Sequence, residues 1–139
     1  MADLWPDAEV GELISEGEVL SFEAAGAITK GKAVYLSADM KVSQCSAATQ
    51  YAIGIALKTV ALGEFCPVCV KGVVKVTAGG AITRGAKVQT DASGNVIVLA
   101  DGSGTYTPSE LPDRVARALG RALQTFANTD TGLIQVGGA

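Results

Sequence analysis

An internal duplication constrains this chain more than any other feature of its sequence. Gly26 to Gly31 reads GAITKG, and Gly80 to Gly85 reads GAITRG at an offset of 54. AIGIALKTV at Ala52 to Val60 is matched by ALGRALQTF at Ala118 to Phe126, at an offset of 66. The second offset continues toward the C-terminus, setting Glu64 on Asp130, Val68 on Ile134, Val70 on Val136 and Gly72 on Gly138. The difference of 12 between the offsets places an insertion in the second copy, and the turn-rich stretch 101–112 (DGSGTYTPSELP) is the natural place for it. Copy one then spans roughly 22–76 and copy two roughly 77–139. A unit of this size cannot cover its own apolar face, so the two are expected to pack together, and two copies are too few for a solenoid. The expected fold class is all-β: a small barrel or jelly-roll-like sandwich built from two duplicated β units, with an extended N-terminal arm. The arm covers residues 1–17, and 18–139 form a single β domain.

Local patterns favour strands. Ala33 to Ser37 (AVYLS) and Lys87 to Thr90 (KVQT) are short β-prone runs. Asp91 to Asn95 (DASGN) has the composition of a hairpin turn before Val96 to Leu99 (VIVL), and Lys71 to Val76 (KGVVKV) alternates as a half-buried strand does. One stretch is ambiguous. Leu111, Val115, Ala118, Leu119, Ala122 and Leu123 fit a helical stripe with Arg114, Arg117 and Arg121 opposite. The repeat partner of its second half contains Ile53, Ile55 and Val60 and reads as a strand. The repeat therefore assigns Ala118 to Phe126 to a strand and leaves room for a short helical turn near Glu110 to Ala116.

Charge is unevenly spread. Residues 1–29 hold Asp3, Asp7, Glu9, Glu12, Glu16, Glu18 and Glu23 and no Lys or Arg, although the whole chain is only at −3. The remainder is mildly basic but has no concentrated basic stripe with aromatics, so nucleic acid is not an expected partner. No apolar run reaches the ~20 residues of a membrane span. An acidic N-terminus is unlike a secretory signal, and three cysteines do not make a paired disulfide framework, so synthesis in the cytoplasm is expected.

Enzyme chemistry finds little support. Histidine is absent, which removes the Ser-His and Cys-His nucleophile systems and the commonest metal ligand. Cys66 and Cys69 form a CxxC, but a zinc site needs about four ligands and Cys45 alone remains. Residues three apart on a strand face opposite sides, and their copy-two counterparts are Gly132 and Gln135. Core packing is the favoured role for the cysteines, with redox or metal chemistry as alternatives. The Gly-Ala-Ile-Thr-basic-Gly motifs do not meet the spacing of a phosphate loop and read as turns, with the Thr29 or Thr83 hydroxyl bonding locally to backbone. Asp39 and Asp91 read as turn formers. No catalytic residue, cofactor site or metal site is assigned.

Interface candidates come from two places. The N-terminal segment carries the only tryptophan, Trp5, with Leu4, Val10, Leu13 and Ile14, and aromatic anchors of this kind are enriched at interfaces. An acidic arm with an apolar anchor suits a basic neighbouring surface; the alternative is a solubilising tail. Arg114, Arg117 and Arg121 form a solvated face or meet an acidic partner.

These elements resemble the small capsid decoration, or cement, proteins of tailed phages. The resemblance lies in GAITKGKAVYL at Gly26 to Leu36, YAIGIAL at Tyr51 to Leu57, VKGVVKV at Val70 to Val76, ALGRAL at Ala118 to Leu123 and GLIQVGG at Gly132 to Gly138. It spans most of residues 18–138. The cysteines and the Arg-rich segment have no match in it. It implies a non-enzymatic virion protein, made in the host cytoplasm, that binds the capsid exterior between major capsid protein subunits. It also implies a homo-oligomer, a dimer or trimer on a capsid symmetry axis. A receptor- or glycan-binding β module is the competing reading, although three Tyr and one Trp make a thin stacking platform.

Overall fold

The computed structural model describes residues 10–99 and 117–137, with the backbone alone at 14–16. All of its named elements are strands: β1 Leu13–Ala24, β2 Ala33–Ala38, β3 Lys41–Gln44, β4 Ala52–Ala56, β5 Phe65–Thr77, β6 Lys87–Thr90, β7 Val96–Val98, β8 Gly120–Ala122 and β9 Thr131–Val136. The all-β expectation holds. Of the ambiguous arginine-rich stretch, Gly120–Ala122 is a strand and Arg117 is helical, so the strand expected over Ala118 to Phe126 is shorter than the repeat implied; the segment 101–112 and the helical turn considered at 110–116 lie outside the described residues. Pairing begins at Leu13, inside the stretch read from sequence as the arm, because Leu13 sits opposite Val74 in the β1–β5 ladder.

The strands form one sheet in the order β1-β3-β2-β4-β5-β9-β8-β6-β7, and β1 also pairs with β5. That extra ladder closes a first ring, β1-β3-β2-β4-β5. A second ring runs β5-β9-β8-β6-β7 and is closed by a parallel bridge from Ala78, just past β5, to Val96 in β7. β5 serves both rings. Its N-terminal half pairs with β4 at Ile55↔Cys69 and Ala56↔Val68, and its C-terminal half pairs with β9 from Gly72↔Val136 to Thr77↔Thr131.

Backbone bonds in the first ring recur in the second. Ile28 bridges Val60, and Ile82 bridges Phe126. Ala33↔Ile55 in β2–β4 corresponds to Lys87↔Arg121 in β6–β8, and Ala56↔Val68 to Ala122↔Ile134. The Gly31 N–H donates to the Ala56 carbonyl and the Gly85 N–H to that of Ala122, each at 2.8 Å. Gly31 and Gly85 both turn with positive φ, 89° and 85°, which glycine adopts without steric cost.

The core has two parts. Phe22, Ala24, Ile28, Val34, Val42, Ala56, Val60, Cys66 and Val68 fill the first ring. The larger part joins the interior of the second ring (Val74, Val76, Ile82, Val88, Val96, Ala122, Phe126 and Ile134 among others) to the outer face of the first, where Ala33, Cys45, Ala52, Ile55 and Cys69 lie. The first ring therefore closes the open end of the second. Polar contacts reinforce the junction: the Ala33 N–H donates to the Gly94 carbonyl at 2.8 Å, the Gln89 side-chain amide to the Ala48 carbonyl at 3.1 Å, and the Lys32 ammonium to Asn95.

Candidate functional site

The first glycine turn has no donors left for an anion. Its consecutive N–H groups are all engaged: Thr29 to Gln44 Oε1, Lys30 to the Thr59 hydroxyl, Gly31 to the Ala56 carbonyl, Lys32 to the Thr29 carbonyl and Ala33 to the Gly94 carbonyl. A phosphate cradle needs such groups free and convergent. The second turn repeats three of these bonds, with the Arg84 N–H donating to the Thr125 hydroxyl at 3.0 Å, the Gly85 N–H to the Ala122 carbonyl and the Ala86 N–H to the Thr83 carbonyl. The hydroxyls that meet these turns are thus those of Thr59 and Thr125, brought in from the far end of each unit, rather than the local Thr29 and Thr83.

The cysteines are packed apart. Cys66 belongs to the core of the first ring and Cys69 to the core of the second, on opposite faces of β5 as their spacing requires. Cys45 is also buried, and all three are free thiols. Burial pushes the Cys45 thiol up to about 11 and raises those of Cys66 and Cys69 as well. A reactive cysteine needs the opposite shift. No cluster of three acidic or cysteine residues suited to a metal occurs among the described residues.

The arm candidates divide. Leu4 and Trp5 lie outside the described residues, as does Arg114, and Ile14 is described only as backbone. Val10 packs against Gly31, where a Cβ would lie 2.4 Å from the Val10 Cγ1. Leu13 packs on the larger core. Both apolar side chains are engaged within the chain. Arg117 is half-buried, and its Nε has no hydrogen-bond partner among the described residues. Arg121 is exposed on β8, between Lys87 of β6 and Gln135 of β9. That row makes the outer face of the second ring basic where its equivalent on the first ring (Ala33, Ile55 and Cys69) is apolar and buried.

The surface feature that sequence reading missed is apolar. Leu20, Leu36, Met40, Leu62 and Phe65 are 50%, 49%, 64%, 71% and 68% exposed, and all belong to the first ring or its turns. Leu20 is the ladder partner of Val68 and Leu36 that of Val42, so both point toward the interior of that ring at its unfilled end. Met40 tips the β2–β3 turn, and an open hollow of about 520 Å³ is lined by Leu36, Ser37, Ala38, Asp39 and Met40. Phe65 and Lys41 flank Glu23 on the neighbouring strands, with Lys41 Nζ 3.3 Å from the Glu23 carboxylate. The offsets already held the signal. Copy two has Val74, Thr90, Gly94, Asn128 and Thr131 at the matching positions, so large apolar residues in one copy face small or polar ones in the other. Large apolar side chains left exposed beside charged neighbours are the kind of surface proteins use for adhesion.

No curated protein matches the chain. Among solved structures it is similar to the N base of the head fiber protein gp8.5 of bacteriophage phi29, with 16% identity and a TM-score of 0.59 over 86% of this chain and 92% of that one. At that identity the likeness speaks to the fold. The family model described as phage cement protein matches residues 14–138, from the second residue of β1 past the end of β9. A match over nearly the whole of both rings assigns the chain to the phage cement proteins.

Proposed function

We propose that this virion structural protein binds the outer surface of a phage capsid between major capsid protein subunits and stabilises the mature shell. Family membership makes it a phage cement protein. The observation that carries the finer reading is the confinement of the largest exposed apolar side chains, Met40, Leu62 and Phe65, to one ring. A chain whose most exposed apolar side chains lie on one of its two rings suits adhesion to a larger surface. A protein that binds only the assembled lattice stabilises it by mass action. We further propose that the two rings are copies of one β unit, 22–76 and 77–139, and that the protein self-associates as a dimer or trimer on a symmetry axis, which multiplies weak contacts. The acidic residues of 1–17 and the basic Arg117 and Arg121 are complementary in charge, which suits contacts between neighbours.

The test is a shell comparison. Shells lacking the protein are heated with and without added purified chain, and release of their contents is followed. Added chain is expected to raise the disruption temperature and to sediment with mature shells but not with free capsid subunits. Unchanged heat resistance refutes the proposal.

A further inference from the structure

We propose that the open end of the first ring, formed by Leu20, Leu36 and Met40, is the surface that seats on the shell, and that it receives a flat apolar strip of a β-sheet. This rests on the cement reading above and names the face and the partner chemistry.

The second ring shows what such an end requires. Leu20, Leu36 and Met40 correspond to Val74, Thr90 and Gly94 at the offset of 54. Leu20 and Leu36 are half exposed, whereas Val74 and Thr90 are fully buried, and Gly94 is buried where Met40 is exposed. The cover in the second ring is the outer face of the first, a strip of small and branched apolar residues (Ala33, Cys45, Ala52, Ile55 and Cys69). The same chain therefore contains one closed end, with its occupant in place, and one open end of the same backbone pattern.

A second copy does not supply the missing strip. Its only equivalent surface is the outer face of the second ring, where Ala33, Ile55 and Cys69 are replaced by Lys87, Arg121 and Gln135. Burying that row against leucines would strip charges of water without partners. A polar outer face of this kind ends a stack, as capping repeats do. The occupant is thus a different protein with an apolar sheet face, and on a capsid that is the shell subunit.

Met40 adds an independent observation. It holds φ at 56°, the left-handed region that costs an ordinary residue roughly 1–2 kcal/mol. The second ring uses glycine there, Gly94 with φ 79°. A strained methionine whose side chain is 64% exposed at a turn tip buries little within the chain, and such an outlier points to a contact outside it.

Met40→Gly separates the two roles. The variant is expected to melt at a higher temperature than wild type and yet to bind mature shells at least about tenfold more weakly, the scale of a lost interface anchor. Leu36→Glu is expected to lose binding further, with circular dichroism confirming its fold. Asn128→Glu, exposed in the β8–β9 turn of the second ring, is expected to bind within about twofold of wild type, as a residue outside the contact should. Wild type that ignores shells overturns the cement reading and this inference with it. Wild type that binds, with Met40→Gly and Leu36→Glu binding equally well, overturns this inference alone. A wild-type oligomer that dissociates in Met40→Gly without loss of shell binding also overturns it, in favour of a second copy at the open end.

Discussion

At the scale of single residues, the two rings differ by compensated exchanges. Val60 and Cys66 share the first core, and their counterparts are Phe126 and Gly132. A Cβ on Gly132 would lie 2.6 Å from the Phe126 ring, so the larger ring is tolerated because its neighbour has no side chain. Gly132→Ala is expected to destabilise by about 1–3 kcal/mol through overpacking, and Phe126→Val by about 2–3 kcal/mol through the void it leaves. The double change Phe126→Val with Gly132→Cys recreates the first-ring pair and is expected to cost less than the sum, with a coupling of about 1 kcal/mol or more. Urea unfolding of the four proteins measures it; strict additivity would refute the pairing. The cysteines give a second residue-scale outcome. Cys45 titrates near 11 when folded against 9.0 when free, chiefly because burial disfavours the thiolate. The folded state therefore holds its proton where the unfolded state has lost it, so this contribution is whole below pH 9 and disappears as pH rises toward 11. Stability should fall across that window, less steeply in Cys45→Ala. Thiol reagents at pH 8 should label the native chain slowly and label all three thiols after denaturation.

At the scale of elements, the close ladders set the limits. A Cβ on Gly54 in β4 would lie 2.2 Å from the Cys69 carbonyl oxygen, and one on Gly120 in β8 would lie 1.9 Å from that of Gln135. These positions correspond at the offset of 66, and in both the neighbour is backbone, which yields less readily than a side chain. Gly54→Ala should loosen β4–β5 and Gly120→Ala β8–β9, each costing about 3 kcal/mol, the large end of single-site effects. Amide exchange reads this locally: protection should fall first at the altered ladder and be retained longer at its counterpart. Much of this level was legible in the chain. Lys87 to Thr90 is a strand at the residues its composition marks, and the GAITKG and GAITRG matches fall on turns whose glycine and basic-residue N–H groups make the same bonds. What could not be read was where each ring ends. Leu20 and Leu36 alternate like core residues of any strand, and only the position of the unfilled end exposes them. The Thr59 and Thr125 hydroxyls were hidden for a related reason: they reach the turns from 29 and 41 residues away, and local turn rules see only neighbours.

At the scale of the molecule, two rings do not make two independent folding units. β5 contributes its first half to one ring and its second half to the other. The larger core contains side chains from both, with Ile55 of the first ring fully buried in the same cluster as Val88 and Ile134 of the second. Residues 77–139 alone would lack the β5 stretch that pairs with β9 and the face that covers their interior. Chains of about 60 residues bury too little surface to tolerate such a loss. The full chain is therefore expected to unfold in one cooperative transition, with calorimetric and van 't Hoff enthalpies equal, and the fragment 77–139 to show no transition at all. Ile55→Ala discriminates most sharply. The deletion leaves a void at the junction and should cost about 2–5 kcal/mol. If the rings are coupled as packed, the single transition moves to lower temperature as a whole. If they were separate units, the same variant would weaken only the contact between them and split the melt into two steps, so a second calorimetric peak would refute the coupling.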